Sequence, residues 1–68
     1  MTVTLTVNGA AQEVADGATV GGFVDALGKG RAGVAVAVNG EVVPRSTWDE
    51  HPLADSDSVE VLTVAQGG

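Results

Sequence analysis

The 68-residue sequence contains no cysteine. Without a thiol the chain can form no disulfide and no thiolate metal site, and it cannot carry a persulfide or use a cysteine nucleophile. Phenylalanine, tyrosine and tryptophan are scarce as well, with only Phe23 and Trp48 present. The core must therefore be built mainly from valine, leucine and alanine.

Basic residues are also few, since three Lys and Arg stand against nine Asp and Glu, for a net charge of -6. This balance opposes the phosphate neutralisation that nucleic-acid binding requires, and it disfavours anionic membrane surfaces. No apolar run is long enough to span a bilayer, and the N-terminus lacks the pattern of a signal peptide. We expect a cytoplasmic protein that binds neither nucleic acids nor membranes.

The first half of the chain predicts a hairpin followed by a short helix. Residues 2–7 alternate between apolar and polar, Asn8-Gly9 suits a tight turn, and residues 11–14 can return as a second strand. Apolar residues at 20, 23, 24 and 27 then follow helical spacing. Thr19 is placed to cap this helix and Gly28 to end it, while Gly21 and Gly22 weaken it.

The second half predicts three more strands. Residues 34–38 are apolar on both faces, Asn39-Gly40 repeats the turn signal, and residues 41–43 return until Pro44. Residues 45–57 form an irregular connection, in which we expect Trp48 to cover a sheet edge with its ring and to satisfy its N–H at the surface. The last strand covers residues 58–64. The order predicts an α+β, ubiquitin-like β-grasp, with one mixed sheet of four to five strands wrapped round one short helix. The expected domain covers residues 1–64, and residues 65–68 form a flexible tail.

Conventional catalysis has few candidates. His51 is the only histidine, and its neighbours Asp49 and Glu50 cannot converge with it on one point in a regular helix or strand. The Asp55-Ser56-Asp57 segment lacks the following glycine and distal glutamate of a calcium loop, and no phosphate-binding loop is present. We therefore expect no catalytic residue, no metal site and no tightly bound cofactor.

The chain ends in Gly67-Gly68, which is typical of a flexible, frayed end and also suits a reactive C-terminus. Glycines let a backbone thread a narrow channel toward ATP, so we predict that Gln66 and Gly67 enter such a channel and that the carboxylate of Gly68 is adenylated. A sulfur nucleophile attacking the adenylate would leave a thiocarboxylate.

The last predicted strand adds a second candidate site. If Val59, Val61 and Thr63 face the core, then Glu60, Leu62 and Val64 share the opposite face. Because Glu60 marks that face as accessible to solvent, we predict that Leu62 and Val64 form a docking patch for a partner.

The segment V-N-G-E-V-V-P-R at residues 38–45, followed by Trp48, is the most specific internal motif. Together with His51, Leu53, Asp57 and the terminal Gly67-Gly68, it resembles the ThiS-type sulfur carriers of thiamine biosynthesis. The resemblance covers essentially the whole chain. Two places depart from the family pattern, since Gly21-Gly22 stand where relatives have larger residues, and Ser56 where a D-G-D turn is common.

The resemblance implies that the chain is not itself an enzyme but is acted on by partner enzymes. An E1-like adenylating enzyme would activate Gly68 with ATP. A persulfide derived from a cysteine desulfurase would supply sulfur, and the thiocarboxylate would donate it to thiazole synthase.

Other uses of the same tail stay open. The chain could carry sulfur for molybdopterin or cysteine synthesis, or it could be a ubiquitin-like protein modifier joined through an isopeptide bond. It could also be an interaction module without chemistry of its own.

Overall fold

The structure is a computed structural model that describes residues 1–28 and 30–63. It consists of a five-stranded sheet, one α-helix and one 3₁₀ helix. In chain order the elements are β1 (Thr2–Val7), β2 (Ala10–Ala15), α1 (Val20–Ala26), β3 (Val34–Val38), β4 (Glu41–Val42), the 3₁₀ helix (Arg45–Glu50) and β5 (Ser58–Thr63).

The sheet is mixed, and its strand order is β2-β1-β5-β3-β4. The first two strands pair antiparallel through the predicted Asn8-Gly9 turn, and β3 pairs antiparallel with β4 through Asn39-Gly40. The last strand enters between these two hairpins, parallel to β1 and antiparallel to β3. The predicted β-grasp arrangement is confirmed, with five strands.

Helix α1 lies across one face of the sheet, which we call the inner face. Its buried residues Val20, Phe23 and Val24 join side chains from the strands and the long connection in one core. The core consists of Leu5, Val20, Phe23, Val24, Val36, Val38, Val43, Trp48, Leu53 and Val59. As the composition predicted, aliphatic side chains form most of it.

Helix α1 begins and ends as its sequence predicts. The hydroxyl of Thr19 accepts a hydrogen bond from the backbone N–H of Gly22 at 3.1 Å, which satisfies one of the unpaired donors at the helix start. Gly28, just after the helix, has φ of +76°, a value that glycine adopts without the steric cost other residues bear.

The two Asn-Gly turns also hold β5 in place. The side chain of Asn8 accepts a hydrogen bond from the Val61 N–H at 2.9 Å and donates one to the Val61 carbonyl at 3.1 Å. The side chain of Asn39 likewise accepts from the Ser58 N–H at 2.9 Å and donates to the Asp57 carboxylate at 2.9 Å. Each asparagine therefore both forms a turn and fixes part of the central strand.

Two expectations for residues 45–57 are wrong. Arg45–Glu50 form a 3₁₀ helix instead of an irregular segment. Trp48 does not place its N–H at the surface: the side chain is 1% exposed, and its indole N–H donates to the Val43 carbonyl at 2.9 Å. The internal partner for the polar end of the ring is what permits such complete burial.

The paired glycines of α1 have different surroundings. A Cβ on Gly22 would meet only the Thr19 hydroxyl, at an ordinary 3.5 Å. A Cβ on Gly21 would collide with the carboxylate of Asp49 and lie 2.8 Å from Nη2 of Arg31. Gly21 therefore provides the close approach between α1 and the 3₁₀ helix, whereas Gly22 has no such role.

We expect Gly22→Ala to raise the free energy of unfolding by about 0.5–1 kcal/mol, because alanine has the higher helix propensity and its methyl group fits. The matched change Gly21→Ala should stabilise the protein less, since Asp49 must move away from Arg31. Thermal unfolding of both variants measures the difference. Equal effects of the two changes would contradict this distinction.

Ser56 offers a second stabilising change. Its φ is +73°, in the left-handed region that costs a residue with a Cβ roughly 1 kcal/mol. We expect Ser56→Gly to stabilise the protein by about 0.5 kcal/mol, because glycine's larger entropy loss on folding offsets part of the relieved strain. Chemical denaturation provides the measurement, and a lower unfolding midpoint would show that the hydroxyl of Ser56 matters more than its backbone conformation.

The asparagine contacts are tested by Asn8→Gly, which keeps the turn conformation but removes both bonds to Val61. We expect a loss of about 1 kcal/mol and faster hydrogen exchange at the Val61 amide. The matched variant Asn39→Gly should instead accelerate exchange at Ser58. If Val61 exchanged equally fast in both variants, the local role of Asn8 would be disproved.

Candidate functional site

Strand β5 leads directly to the predicted reactive end of the chain. It lies in the middle of the sheet, and Thr63, its last residue, pairs with Val34 at the start of β3. The predicted site residues Val64, Gln66, Gly67 and Gly68 lie outside the described residues. The boundary between domain and tail also lies there, so these assignments stay predictions.

The residues of β5 alternate between the two faces of the sheet. Val59 is fully buried and Val61 is half-buried on the inner face, whereas Glu60 and Leu62 are exposed on the opposite, outer face. Thr63 was expected to face the core but is exposed, because it stands at the very end of the strand. Leu62, with 69% of its surface accessible, is therefore available to a partner.

The register of the sheet brings further apolar residues beside Leu62. Ala35 of β3 lies opposite Leu62, and Ala37 lies between Glu60 on one side and Val42 on the other. Val42 is 76% exposed. Sequence reasoning missed Val42, although the Asn39-Gly40 turn would have fixed its position opposite Ala37.

These side chains enclose a shallow depression, which we call the outer groove. Alanines form its floor because they are the smallest side chains on this face, while Val42 and Leu62 rise on its two sides. The groove has a volume of about 150 Å³, the size of an engineered cavity that takes up one benzene molecule. Its lining consists of Asn8, Ala35, Val36, Ala37, Val42, Glu60 and Leu62.

The main charged cluster lies elsewhere, where α1 meets the 3₁₀ helix. Arg31 donates to both carboxylate oxygens of Asp25 at 2.9 Å, and its Nη2 also donates to Asp49 at 2.8 Å. Hydrogen bonding to Arg31 lowers the pKa of Asp25 and of Asp49, and those bonds raise the pKa of Arg31. The guanidinium also lies 5.9 Å from the centre of the Trp48 ring. This cluster joins two helices and contains no group prepared for catalysis.

The remaining titratable groups do not assemble into a reactive site. His51 is half-buried, its carbonyl accepts a hydrogen bond from the Val20 N–H, and its neighbour Asp49 is directed at Arg31. Within residues 1–28 and 30–63, no three His, Asp or Glu side chains come together to hold a metal ion. Over the same residues, no helix has the length and apolar character needed to cross a bilayer.

Comparison with known proteins relates residues 5–68 to the ThiS family, whose family model they match. The sulfur carrier protein ThiS of Escherichia coli K12 is 36% identical over 61 residues, which cover 90% of this chain and 92% of that protein. The family-model match, from residue 5 to residue 68, includes most of the sheet, the long connection and the C-terminal end of the chain.

Solved structures agree with this relationship. The crystal structure of the thiamine biosynthesis protein ThiS from Geobacter metallireducens superposes with a TM-score of 0.80 at 38% identity, covering 97% of this chain and all of that one. An NMR structure of a thiamine biosynthesis protein from the same organism gives the same score and identity, covering 97% of this chain and 88% of that one. The chain therefore belongs to the ThiS family, as its V-N-G-E-V-V-P-R motif and its terminal glycines led us to expect.

Proposed function

We propose that this chain is a sulfur carrier of thiamine biosynthesis whose Gly68 carboxylate is adenylated and then converted to a thiocarboxylate. The observation that carries the proposal is the chain's membership of the ThiS family, because the family match extends to residue 68 and so includes the terminal Gly67-Gly68. In this role the chain is a carrier acted on by enzymes and not itself a catalyst. The proposal places it in the cytoplasm.

The composition of the chain supports a terminal carboxylate as the sulfur-bearing group. There is no cysteine, so no thiol of the chain can hold sulfur as a persulfide. The single histidine and the acidic residues form no group that could hold a metal ion in the described part of the chain. A C-terminal carboxylate can still take up sulfur, provided that it is first activated.

The proposed reaction proceeds in three steps. A carboxylate oxygen of Gly68 attacks the α-phosphorus of ATP on an E1-like adenylating enzyme, and pyrophosphate leaves. The terminal sulfur of a cysteine-desulfurase-derived persulfide then attacks the carbonyl carbon, and AMP leaves with the former carboxylate oxygen. Two electrons from a thiol reduce the resulting disulfide bond, which leaves the thiocarboxylate. Gly67 and Gln66 allow the backbone to enter the enzyme's narrow channel.

The thiocarboxylate would then act as the nucleophile in thiazole formation on thiazole synthase. Sulfur held this way stays covalently bound, and no free sulfide is released. The folded domain has a separate task, since it must be recognised by each partner while the tail enters an active site. Leu62, one of the two predicted docking residues, supports this division of tasks because it is exposed on the strand that leads to the tail.

We expect that incubation with the cognate adenylating enzyme, ATP, a persulfide donor and a thiol reductant replaces one oxygen of the chain by sulfur. Intact-mass spectrometry measures this as a rise equal to the mass difference between the two atoms. Subsequent addition of thiazole synthase with its substrates should return the mass to its starting value.

Two extended chains provide a matched control. One alanine added after Gly68 moves the carboxylate and should abolish the mass change, whereas one alanine added before Met1 should leave it intact. An unmodified wild-type chain in the presence of an active enzyme would disprove the proposed function. A mass change that survives the C-terminal extension would show that sulfur enters at another position.

A further inference from the structure

Strand β2 forms one edge of the sheet, and no other strand of the described residues pairs with its free side. A run of consecutive residue pairs without a bulge joins it to β1. It contains neither proline nor lysine, the residues that protect many exposed edges from pairing. At the other edge, β4 is only two residues long, and Pro44 follows shortly after it. β2 is therefore the longer and less protected of the two edges.

Alternate residues of β2 direct their backbone groups away from β1. The N–H of Thr6 in β1 donates to the Asp57 carbonyl at 2.9 Å, on the side of β5. Because backbone groups alternate along an antiparallel pair, the neighbours of Thr6 bond to β2 instead. One of these neighbours, Leu5, pairs with Gln12. The residues of β2 whose N–H and C=O groups point outward are therefore Ala11, Glu13 and Ala15.

Most of these outward groups have no backbone partner within residues 1–28 and 30–63. The exception is the Ala15 carbonyl, which accepts a hydrogen bond from the Ala18 N–H at 3.0 Å. The others stand in the alternating pattern to which a further strand bonds. An extended segment of another chain can therefore lengthen the sheet here through main-chain hydrogen bonds.

Glu13 gives this edge a negative charge. It is the one charged residue of β2, it is exposed between two alanines of the same face, and Asp16 follows the strand. The N-terminal residue lies at the Asp16 end, where the Asp16 N–H donates to the Met1 carbonyl at 2.9 Å. Both salt bridges of the described residues belong to Arg31, and neither includes Glu13. The Glu13 carboxylate is therefore available to a cation of a partner.

We propose that the free edge of β2 binds an extended segment of a partner protein, paired antiparallel, with a lysine or arginine directly opposite Glu13. Hydrogen bonds to the backbone of Ala11 and Glu13 supply affinity, and the cross-strand charge pair selects the segment. Because β1 separates this edge from β5, the added strand leaves the strand that leads to the tail uncovered. The inference goes beyond the proposed function and does not depend on it.

Glu13 also makes a second copy of the chain a poor occupant. Two β2 strands paired antiparallel over residues 11–15 would place Glu13 opposite Glu13 of the other copy, because residue 13 is the midpoint of that range. Like charges directly opposite each other destabilise a strand pair, and each copy carries a net charge of -6. A neutral strand is also disfavoured, since it removes water from the carboxylate and provides no cation in return.

Two isomeric peptides test the proposal on the full-length chain. Both have the sequence acetyl-Val-Thr-Val-Lys-Val-Thr-Val-amide, which sets the lysine opposite Glu13 and a threonine opposite each neighbouring alanine. One peptide carries N-methyl groups on the valines beside the lysine, whose N–H groups point away from β2 in the proposed pairing. The other carries them on the threonines, whose N–H groups donate to β2. The two match in mass, charge and side chains, and differ only in the edge that can pair.

Nuclear magnetic resonance of the chain measures both the affinity and the hydrogen exchange of single amides. We expect the valine-methylated peptide at saturation to slow exchange at Ala11 and Glu13 by roughly tenfold, because both amides become hydrogen-bonded. The threonine-methylated isomer should bind about tenfold more weakly, since it lacks two of the donors. The Gln12 and Val14 amides, which already bond to β1, should stay slow and so report that the hairpin is intact.

A charge exchange tests the role of Glu13. Glu13→Lys should weaken binding of the lysine peptide by roughly fivefold, the size expected for one cross-strand charge pair. A peptide with glutamate in place of lysine should bind this variant about as tightly as the lysine peptide binds the wild type. Glu41→Lys is the matched control, because Glu41 is exposed on β4 at the opposite edge and the net charge changes equally. It should alter the affinity by less than about twofold, since the distant charge is screened.

Equal binding of the two isomers, or unchanged exchange at Ala11 and Glu13 in millimolar peptide, would overturn the proposal. Equal weakening by Glu13→Lys and Glu41→Lys would overturn it too, because the charge pair would then not select the segment. Exchange at Ala11 that slows when the chain alone is concentrated would identify a second copy as the occupant, with the same consequence. These measurements use neither the adenylating enzyme nor ATP, so their failure and a failure of sulfur transfer are distinguishable.

Discussion

The fold depends on the insertion of β5 between two hairpins. Both hairpins come before β5 in the chain, so the last strand joins them into one sheet. Its pairing with β1 covers only two pairs of residues, whereas its pairing with β3 covers five. The side chains of Asn8 and Asn39 supply additional hydrogen bonds on both sides of the strand. With β5 in place the inner face gains Val59 and the core closes around α1. The same strand carries the chain to its C-terminus, so the proposed reactive end is attached to the centre of the sheet.

Much of this fold could be predicted because the local sequence patterns favour the same strands and turns that the tertiary structure contains. The bounds of β1 and β3 follow from alternation and from a continuous apolar run, and both hairpins follow from the left-handed preference of Asn-Gly. The 3₁₀ helix could not be predicted in this way, since its stability comes from the burial of Trp48 and from Arg31, which bonds to Asp49 across a long stretch of sequence. The close approach at Gly21 also arises between two elements, α1 and the 3₁₀ helix. Helix propensity alone would favour a residue with a Cβ at this position.

The candidate site also combines features that the sequence predicted with features that it could not predict. Leu62 and Glu60 were assigned to the exposed face from alternation along a single strand, and their exposure confirms it. Val42 and the alanine floor could not be added from alternation alone, because their proximity depends on the register of three strands. The importance of the tail came from its glycines and from the family resemblance, since a reactive carboxylate has no periodic signal.

A carrier of this kind separates recognition from chemistry. Under the proposed function, partners recognise the folded domain, whereas the reactive atom is the carboxyl carbon of Gly68. The most direct test of the account is fragment-ion mass spectrometry of the chain after enzymatic activation. The account predicts that the sulfur-for-oxygen mass difference occurs only in fragments that contain Gly68. A mass difference confined to internal fragments would contradict it.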